Sequence, residues 1–145
     1  MIEVPAAAMS IRTLANYFDF FSIGSNDLIQ YALAVDRCDT NVAHLYNPFH
    51  PGILFLISKI ITDATDMGVP VSICGEIAGD SMFTRLLIGM GFQELSMHPA
   101  NIFKIKEQIL SIDTRSLAKH IAPILRETNP DQILESVKQL NQIVF

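Results

Sequence analysis

The fold is decided by the stretch Ser22-Ile23-Gly24-Ser25-Asn26-Asp27-Leu28-Ile29-Gln30-Tyr31, in which a short apolar segment breaks into a polar turn. The same pattern returns about fifty residues later in Ser72-Ile73-Cys74-Gly75-Glu76-Ile77-Ala78-Gly79-Asp80. In a parallel α/β protein, such a break marks the carboxyl end of a strand, where ligands bind. The two ends are therefore expected to form one site, with an amide, a carboxylate and a thiol suited to metal-assisted chemistry on an anion.

The apolar periods around these two stretches predict a βαβαβαβα order, hence a parallel sheet with right-handed crossovers. The strand at 20–23 is apolar except for Ser22, which is typical of a strand buried on both faces. An irregular segment is predicted over 37–49. Strands are predicted at residues 2–4, 20–23, 69–74 and 94–97, and helices at 6–17, 26–35, 51–68, 81 to about 90, 99–111, 114–127 and 130–144.

Composition limits the size of the fold and the class of partner. A complete (β/α)₈ barrel has roughly 250 residues, and this chain has only 145. The four predicted βα units are therefore too few to close such a barrel. Half of the residues are hydrophobic, and the mean hydropathy is +0.33, which indicates either a large apolar interface or a piece of a larger fold. A net charge of −5 argues against nucleic acid as a partner.

Neither a membrane span nor a disulfide is expected. The longest apolar run, residues 53–61, is far shorter than the roughly 20 residues that cross a bilayer. Cys38 and Cys74 lack partners at disulfide or metal-site spacing, which favours a reducing, cytoplasmic compartment.

Two carboxylates are candidates for a metal site. Glu3 and Asp27 each lie at a predicted strand end, and Mg²⁺ takes one or two carboxylates while leaving positions for substrate phosphate. Alternatively, Glu3 is a frayed terminal residue and Asp27 a first-turn residue favoured by the helix dipole. The backbone amides of Asn26 and Asp27 could bind a phosphate, although simple capping by Ser25 or Asn26 is the competing interpretation.

Other polar residues also have two interpretations. Cys74 could act as a proton donor or nucleophile, or as a small buried residue. Arg37 could bind a phosphate or carboxylate, or pair with Asp36 or Asp39. The four histidines share no ligand spacing, and capping or packing is expected for His50 and His98, which precede helix starts.

Three motifs together resemble the phosphoenolpyruvate (PEP)-utilising enzymes. They are residues 2–7 (IEVPAA), residues 20–31 with the following Leu33-Ala34-Val35-Asp36-Arg37, and residues 74–80 (CGEIAGD). The Ala-Val-Asp-Arg ending and residues 44–48 (HLYNP) are similar to the Enzyme I family of the bacterial sugar phosphotransferase system. The resemblance is close over residues 1–110 and looser beyond.

The resemblance implies the carboxyl-terminal half of a (β/α)₈ barrel. Residues 1–111 would supply strands five to eight, and residues 112–145 a helical extension of the same domain. Glu3 and Asp27 would be Mg²⁺ ligands, Asn26, Asp27 and Arg37 would bind PEP, and Cys74 would protonate the enolate to give pyruvate. The phosphoryl group would pass to a histidine on a separate domain and then to the histidine phosphocarrier protein, with a homodimer as the expected assembly.

Departures from the family limit what the chain is expected to do alone. None of its histidines matches the phosphorylated one, and the first half of the barrel, with several PEP-binding arginines, is absent. Ser25 replaces the usual threonine. The chain is therefore expected to be a piece with negligible turnover, or a non-catalytic dimerisation module. A pyruvate phosphate dikinase or PEP synthase fragment is a further alternative, which residues 33–48 disfavour.

Overall fold

The computed structural model describes residues 1–144. Over that range the chain forms three strands and nine helices, with one 3₁₀ turn at Ala43–Leu45. In chain order they are α1 (Pro5–Ala8), α2 (Ile11–Leu14), β1 (Phe21–Gly24), α3 (Ser25–Leu33), α4 (Pro51–Asp66), β2 (Val71–Cys74), α5 (Glu76–Gly79), α6 (Ser81–Met90), β3 (Glu94–Leu95), α7 (Pro99–Leu110), α8 (Thr114–Arg126) and α9 (Pro130–Gln142).

The sheet is parallel and follows chain order. β1 pairs with β2, and β2 pairs with β3. On the other side of β1, Ile2 forms a parallel bridge to Ile23, so the predicted strand at 2–4 is reduced to a single bridge. The register sets Gly24 opposite Cys74. This confirms the predicted α/β class and brings the two polar strand ends to the same edge.

The two faces of the sheet differ. Phe21, Ile23, Val71 and Ile73 are buried against the helices, whereas on the other face Gly24 is buried but Ser22, Ser72 and Cys74 are only half-buried. The expectation that β1 is buried on both faces therefore holds at Gly24 but not at Ser22. Because strand side chains alternate between faces, Ser22 lies with Ser72 and Cys74 on the less covered side.

The long helix α4 covers the apolar face. Its buried residues Ile53, Ile57, Ile60 and Ala64 recur at helical spacing, which puts them on one side of the helix. Each isoleucine is 0–1% exposed, and fully burying such a side chain contributes about 1.5–3 kcal/mol. Pro51 occupies the first helical position, where its missing N–H costs nothing.

The first predicted helix, at 6–17, is two short helices. The chain leaves helical geometry at Ser10, with φ −110° and ψ 15°, and its Oγ donates to the carbonyl of Ala6 at 2.8 Å. A serine bonded back to residue i−4 competes with the regular helix and bends it. The spacing of apolar residues predicts a continuous helix, because it carries no information about this side-chain hydrogen bond.

The last three helices form as predicted, to within one or two residues at each end, and they pack on α6. Ile121 of α8 lies so close to Gly89 that a Cβ there would meet its Cδ1 at 2.4 Å. Arg85, which is 8% exposed, donates from Nη1 to the carbonyls of Leu140 (3.0 Å) and Ile143 (2.6 Å). The end of α9 is thereby tied to the interior.

Several large apolar side chains remain on the surface. Tyr17 is 78% exposed, Phe20 68%, Phe103 84% and Leu110 77%. No helix in residues 1–144 combines the length and the apolar character needed to cross a bilayer.

Candidate functional site

The candidate site lies where β1 and β2 end side by side. α3 begins immediately after Gly24, and α5 begins at Glu76, with only Gly75 between it and Cys74. Since Gly24 and Cys74 are paired in register, Asn26, Asp27 and Cys74 belong to the same edge of the sheet. The sequence prediction that successive strand ends form one site is consistent with this arrangement.

The side chains at the start of α3 do not cap their own helix. The N-cap is Gly24, without a side-chain cap, so capping by Ser25 or Asn26 is wrong. Ser25 Oγ donates to the Cys74 carbonyl at 2.6 Å, and Asn26 Oδ1 accepts from the Glu76 amide at 3.1 Å. Both side chains tie α3 to the next turn, and the first-turn amides receive no capping side chain.

Gly75 makes this close approach feasible. Its φ of +96° and ψ of −167° lie in a region that is essentially restricted to glycine. A Cβ at this position would lie 2.4 Å from Ser25 Oγ and 2.9 Å from Asn26 Oδ1. The turn thus requires glycine for its backbone conformation and for its contact with α3.

Arg37 reaches the same turn from the segment that follows α3. Its Nη1 donates to Glu76 Oε1 at 3.0 Å, and its backbone amide donates to Gln30 Oε1 at 3.3 Å. The alternative interpretation, pairing with Asp36 or Asp39, is therefore wrong. Ala34 precedes this segment in the left-handed conformation, with φ 54°, and ends α3 two residues before the predicted Val35.

Tyr46 joins the cluster from the 3₁₀ region. Its hydroxyl donates to the carbonyl of Asn26 at 3.5 Å. Burial, reinforced by Glu76 and Asp27 and opposed by Arg37, raises the pKa of Tyr46 to about 12. The phenol therefore stays neutral near pH 7 and can act as a donor.

The Cys74 thiol lies between the two strands. Sγ donates to the Ile23 carbonyl at 3.3 Å, and Ser22 Oγ lies 3.9 Å away. Cys74 is half-buried, on the less covered side of the sheet. The thiol is thus held by weak bonds that a ligand can replace.

The two candidate metal ligands are available. A Cβ on Gly24 would lie 2.9 Å from Glu3 Oε2, so the Glu3 carboxylate borders the start of α3, which carries Asp27 in its first turn. Within residues 1–144, neither carboxylate makes a hydrogen bond or ion pair, and no cluster of three or more ligating side chains occurs. Two free carboxylates fit a cation that draws its remaining ligands from water and substrate.

The histidines at helix starts have the expected role. His50 Nδ1 accepts from the Gly52 amide at 3.1 Å, and His98 Nδ1 accepts from the Ala100 amide at 3.3 Å. Capping is thereby confirmed for both. Cys38 is exposed and lies in the segment that follows α3.

Sequence reasoning assigned no role to Glu76 or Tyr46, and for Ser25 it offered only helix capping. Glu76 also lines a cleft of about 420 Å³ that contains Asn26 and extends toward Ser96 and Asn101. Glu76 lies within the CGEIAGD motif and Tyr46 within HLYNP, and membership of these motifs was the only hint in the sequence that either residue belongs to the site. Their partners, however, are 39 and 20 residues away in the chain.

Comparison with known proteins identifies a family whose match covers the residues of this edge. A family model described as PEP-utilising enzyme, PEP-binding domain, matches residues 1–114. Relatives named phosphoenolpyruvate-protein phosphotransferase include one from Cupriavidus necator, 46% identical over 140 residues, covering 97% of this chain and 24% of the relative. Those from Buchnera aphidicola and Priestia megaterium are 48% and 40% identical over 89% and 95% of this chain.

The chain spans about a quarter of the length of these curated relatives. The family match covers most of the chain and includes every residue of the site at the ends of β1 and β2. The chain therefore belongs to the PEP-utilising enzymes and contains the region matched by their PEP-binding domain.

Proposed function

We propose that this chain supplies part of the PEP site of a phosphoenolpyruvate-protein phosphotransferase. The observation that supports this most directly is the convergence of Asn26, Arg37 and Cys74 around Gly75 and Glu76 at one edge of a parallel sheet. Relatives that cover most of the chain bear that enzyme name. Amide, guanidinium and thiol groups suit an anionic substrate that must also gain a proton.

The substrate phosphate would bind at the start of α3. The uncapped amides of Asn26 and Asp27 lie at the positive end of the helix, which favours an anion. Asn26 uses Oδ1 to accept from Glu76, so its Nδ2 remains able to donate. Arg37 would add a charge-assisted hydrogen bond to the phosphate.

Glu3 and Asp27 would hold Mg²⁺. When bound, the ion would spread the negative charge of the substrate carboxylate and phosphate. The two carboxylates make no competing bonds within the described residues, so no ion pair would have to break.

Cys74 would supply the proton that completes pyruvate. A histidine nitrogen on a separate domain accepts the phosphoryl group as the phosphorus–oxygen bond of PEP breaks. The electron pair of the broken bond stays on the enolate oxygen. The enolate carbon then takes the thiol proton as the carbonyl forms, and a thiolate remains on Cys74. Its present bond to the Ile23 carbonyl is weak enough to be exchanged for this contact.

We further propose that the sheet is the second half of a (β/α)₈ barrel, with residues 1–111 in the barrel and 112–145 as its helical extension. The sequential parallel order and the sparsely covered Ser22 face support this arrangement. The phosphoryl group would continue to the histidine phosphocarrier protein in the cytoplasm. Exposed apolar side chains such as Phe103 favour a homodimer.

The 145-residue chain should bind PEP but not turn it over. We expect millimolar PEP with Mg²⁺ to shift the backbone NMR signals of Asn26 and Asp27. Phosphoryl transfer to the phosphocarrier should be negligible, since positioning groups worth several kcal/mol of barrier lie outside these residues. Turnover close to that of a full-length relative would overturn the assignment of this chain as a partial site.

Replacing Asp27 tests the metal assignment. Asp27→Ala removes one of two carboxylates, and we expect the Mg²⁺-dependent gain in PEP affinity to fall at least about 10-fold. Binding measured without Mg²⁺ should change little. Asp36→Ala, which removes an exposed carboxylate from the segment after α3, is the matched control. An unchanged Mg²⁺ dependence in Asp27→Ala would remove this residue from the metal site.

A further inference from the structure

We infer that Glu76 is a positioning residue: it holds the Arg37 guanidinium by one N–H and leaves the remaining donors for the substrate phosphate. The inference rests on the proposed PEP site and adds a residue to it. The pair joins the segment after α3 to the turn after β2, with Nη1 and Oε1 3.0 Å apart.

Glu76 is anchored at its backbone. Its amide donates to Asn26 Oδ1 at 3.1 Å, and the preceding Gly75 is fixed against Ser25. The root of the Glu76 side chain therefore cannot drift relative to the start of α3. A carboxylate held in this way can define where the guanidinium lies.

The pair contributes little to folding. The Glu76 side chain is 75% exposed and that of Arg37 34%, and ion pairs this open to water typically contribute about 0–1 kcal/mol. A negative charge close to the phosphate-binding amides also weakens anion binding unless it is neutralised. Its pairing with Arg37 provides that neutralisation and gives the contact a role at the site rather than in stability.

Arg37 keeps donors in reserve. Its guanidinium has five N–H groups in a planar fork, and the structure uses only Nη1 among the described residues. Within residues 1–144, Nε and Nη2 of Arg37 make no hydrogen bond. Because the fork is rigid, fixing one corner restricts the plane of the whole group and lowers the ordering cost of a second, phosphate-bound corner.

The test compares three substitutions in the 145-residue chain, with inorganic phosphate and PEP as probes. Glu76→Ala should weaken binding of both probes about 3- to 10-fold, since Arg37 must then be ordered by the ligand alone. Glu76→Gln keeps an acceptor oxygen and should stay within about 2-fold of the wild type. Glu107→Ala, at an exposed position on α7, is the control for loss of charge and should change nothing.

A second measurement separates positioning from a structural effect. In the wild type, the Nη signals of Arg37 should show slowed rotation by ¹⁵N NMR, and Glu76→Ala should abolish this while leaving the thermal midpoint unchanged. Equal or tighter phosphate binding by Glu76→Ala would overturn the inference. If phosphate shifts the Asn26 and Asp27 amides but not the Arg37 side chain, only the inference fails. If it shifts neither, the proposed PEP site fails as well.

Discussion

Individual residues at the site are held by the neighbouring turn and not by their own helix. Ser25 and Asn26 bond to residues 74 and 76, across a gap of about fifty positions in the chain. The N-terminal amides of α3 stay uncapped as a result. Polar side chains at the end of one βα unit therefore hold the turn of the next unit in place.

Gly75 gives the clearest prediction at the residue scale. Gly75→Ala should lower the free energy of unfolding by about 2–4 kcal/mol, because it combines a backbone conformation reserved for glycine with contacts of 2.4 and 2.9 Å. Gly68→Ala is the matched control. Gly68 has a φ of +70° but no atom within 4 Å of a Cβ, so about 1 kcal/mol is expected. Urea unfolding measures both, and equal losses would contradict the contact argument.

Cys74 allows the two halves of the proposed reaction to be separated. In a full-length protein that contains these residues, Cys74→Ala should slow formation of pyruvate from the enolate about 100-fold or more, a typical loss for a positioned proton donor. Phosphorylation of the enzyme histidine should be much less affected. Rapid-quench measurements of phosphohistidine and pyruvate distinguish the steps. Loss of both to the same extent, or of neither, would exclude the thiol as the acid.

At the scale of elements, a buried carboxylate joins α2 to α4. Asp63, whose side chain is 9% exposed, accepts from Lys59 Nζ at 2.6 Å and from Arg12 Nε at 3.0 Å. The hydrogen bond from Lys59, opposed by burial and aided by the hydrogen bond from Arg12, holds the pKa of Asp63 below its usual range. Arg12 also pairs with the more exposed Asp66, so one guanidinium links two turns of α4.

Asp63→Asn should therefore destabilise the protein by about 1–3 kcal/mol at pH 7. A lowered native pKa gives stability that is complete above the unfolded value of about 3.9 and is lost as the pH falls through the native value. The stability difference between wild type and Asp63→Asn should thus shrink below about pH 4. Asp66→Asn, at a side chain 52% exposed, should cost less. A difference that did not depend on pH would refute the pairing.

The helices show what the sequence can and cannot predict. The helices α4, α7, α8 and α9 have long apolar periods with proline or a capping residue at the start, and their bounds were predicted to within one or two residues. The four-residue helix α5 was not predicted, because a single helical turn is too short to show a periodic spacing of apolar residues. The partner of Arg37 was predicted wrongly, because Asp36 and Asp39 are the carboxylates nearest to it in sequence. Glu76 comes close to Arg37 only through strand pairing.

At the scale of the whole molecule, the exposed apolar side chains are the dominant feature. Phe103 and Leu110 lie seven residues apart on α7, hence on the same face, and are 84% and 77% exposed. Monomeric proteins rarely leave large apolar areas uncovered. The high hydropathy of the sequence therefore has a structural counterpart on the surface as well as in the core.

Self-association of the chain is the corresponding prediction. Sedimentation velocity at low micromolar concentration should show a dimer, because burying these side chains removes apolar area from water. The double variant Phe103→Ser, Leu110→Ser should shift the distribution toward monomer, with Lys104→Ser as the control at a polar position. A monodisperse wild-type monomer would rule out the dimer.

The buried Arg85 has a consequence for proteolytic trimming. Among residues 1–144, Arg85 donates to the carbonyls of residues 140 and 143, so carboxypeptidase digestion that passes residue 143 removes one of these acceptors. Digestion past residue 140 would strip both acceptors from a cation in an apolar interior, at a cost of several kcal/mol. Progressive carboxypeptidase digestion should consequently stall near that point and leave a ragged but folded product.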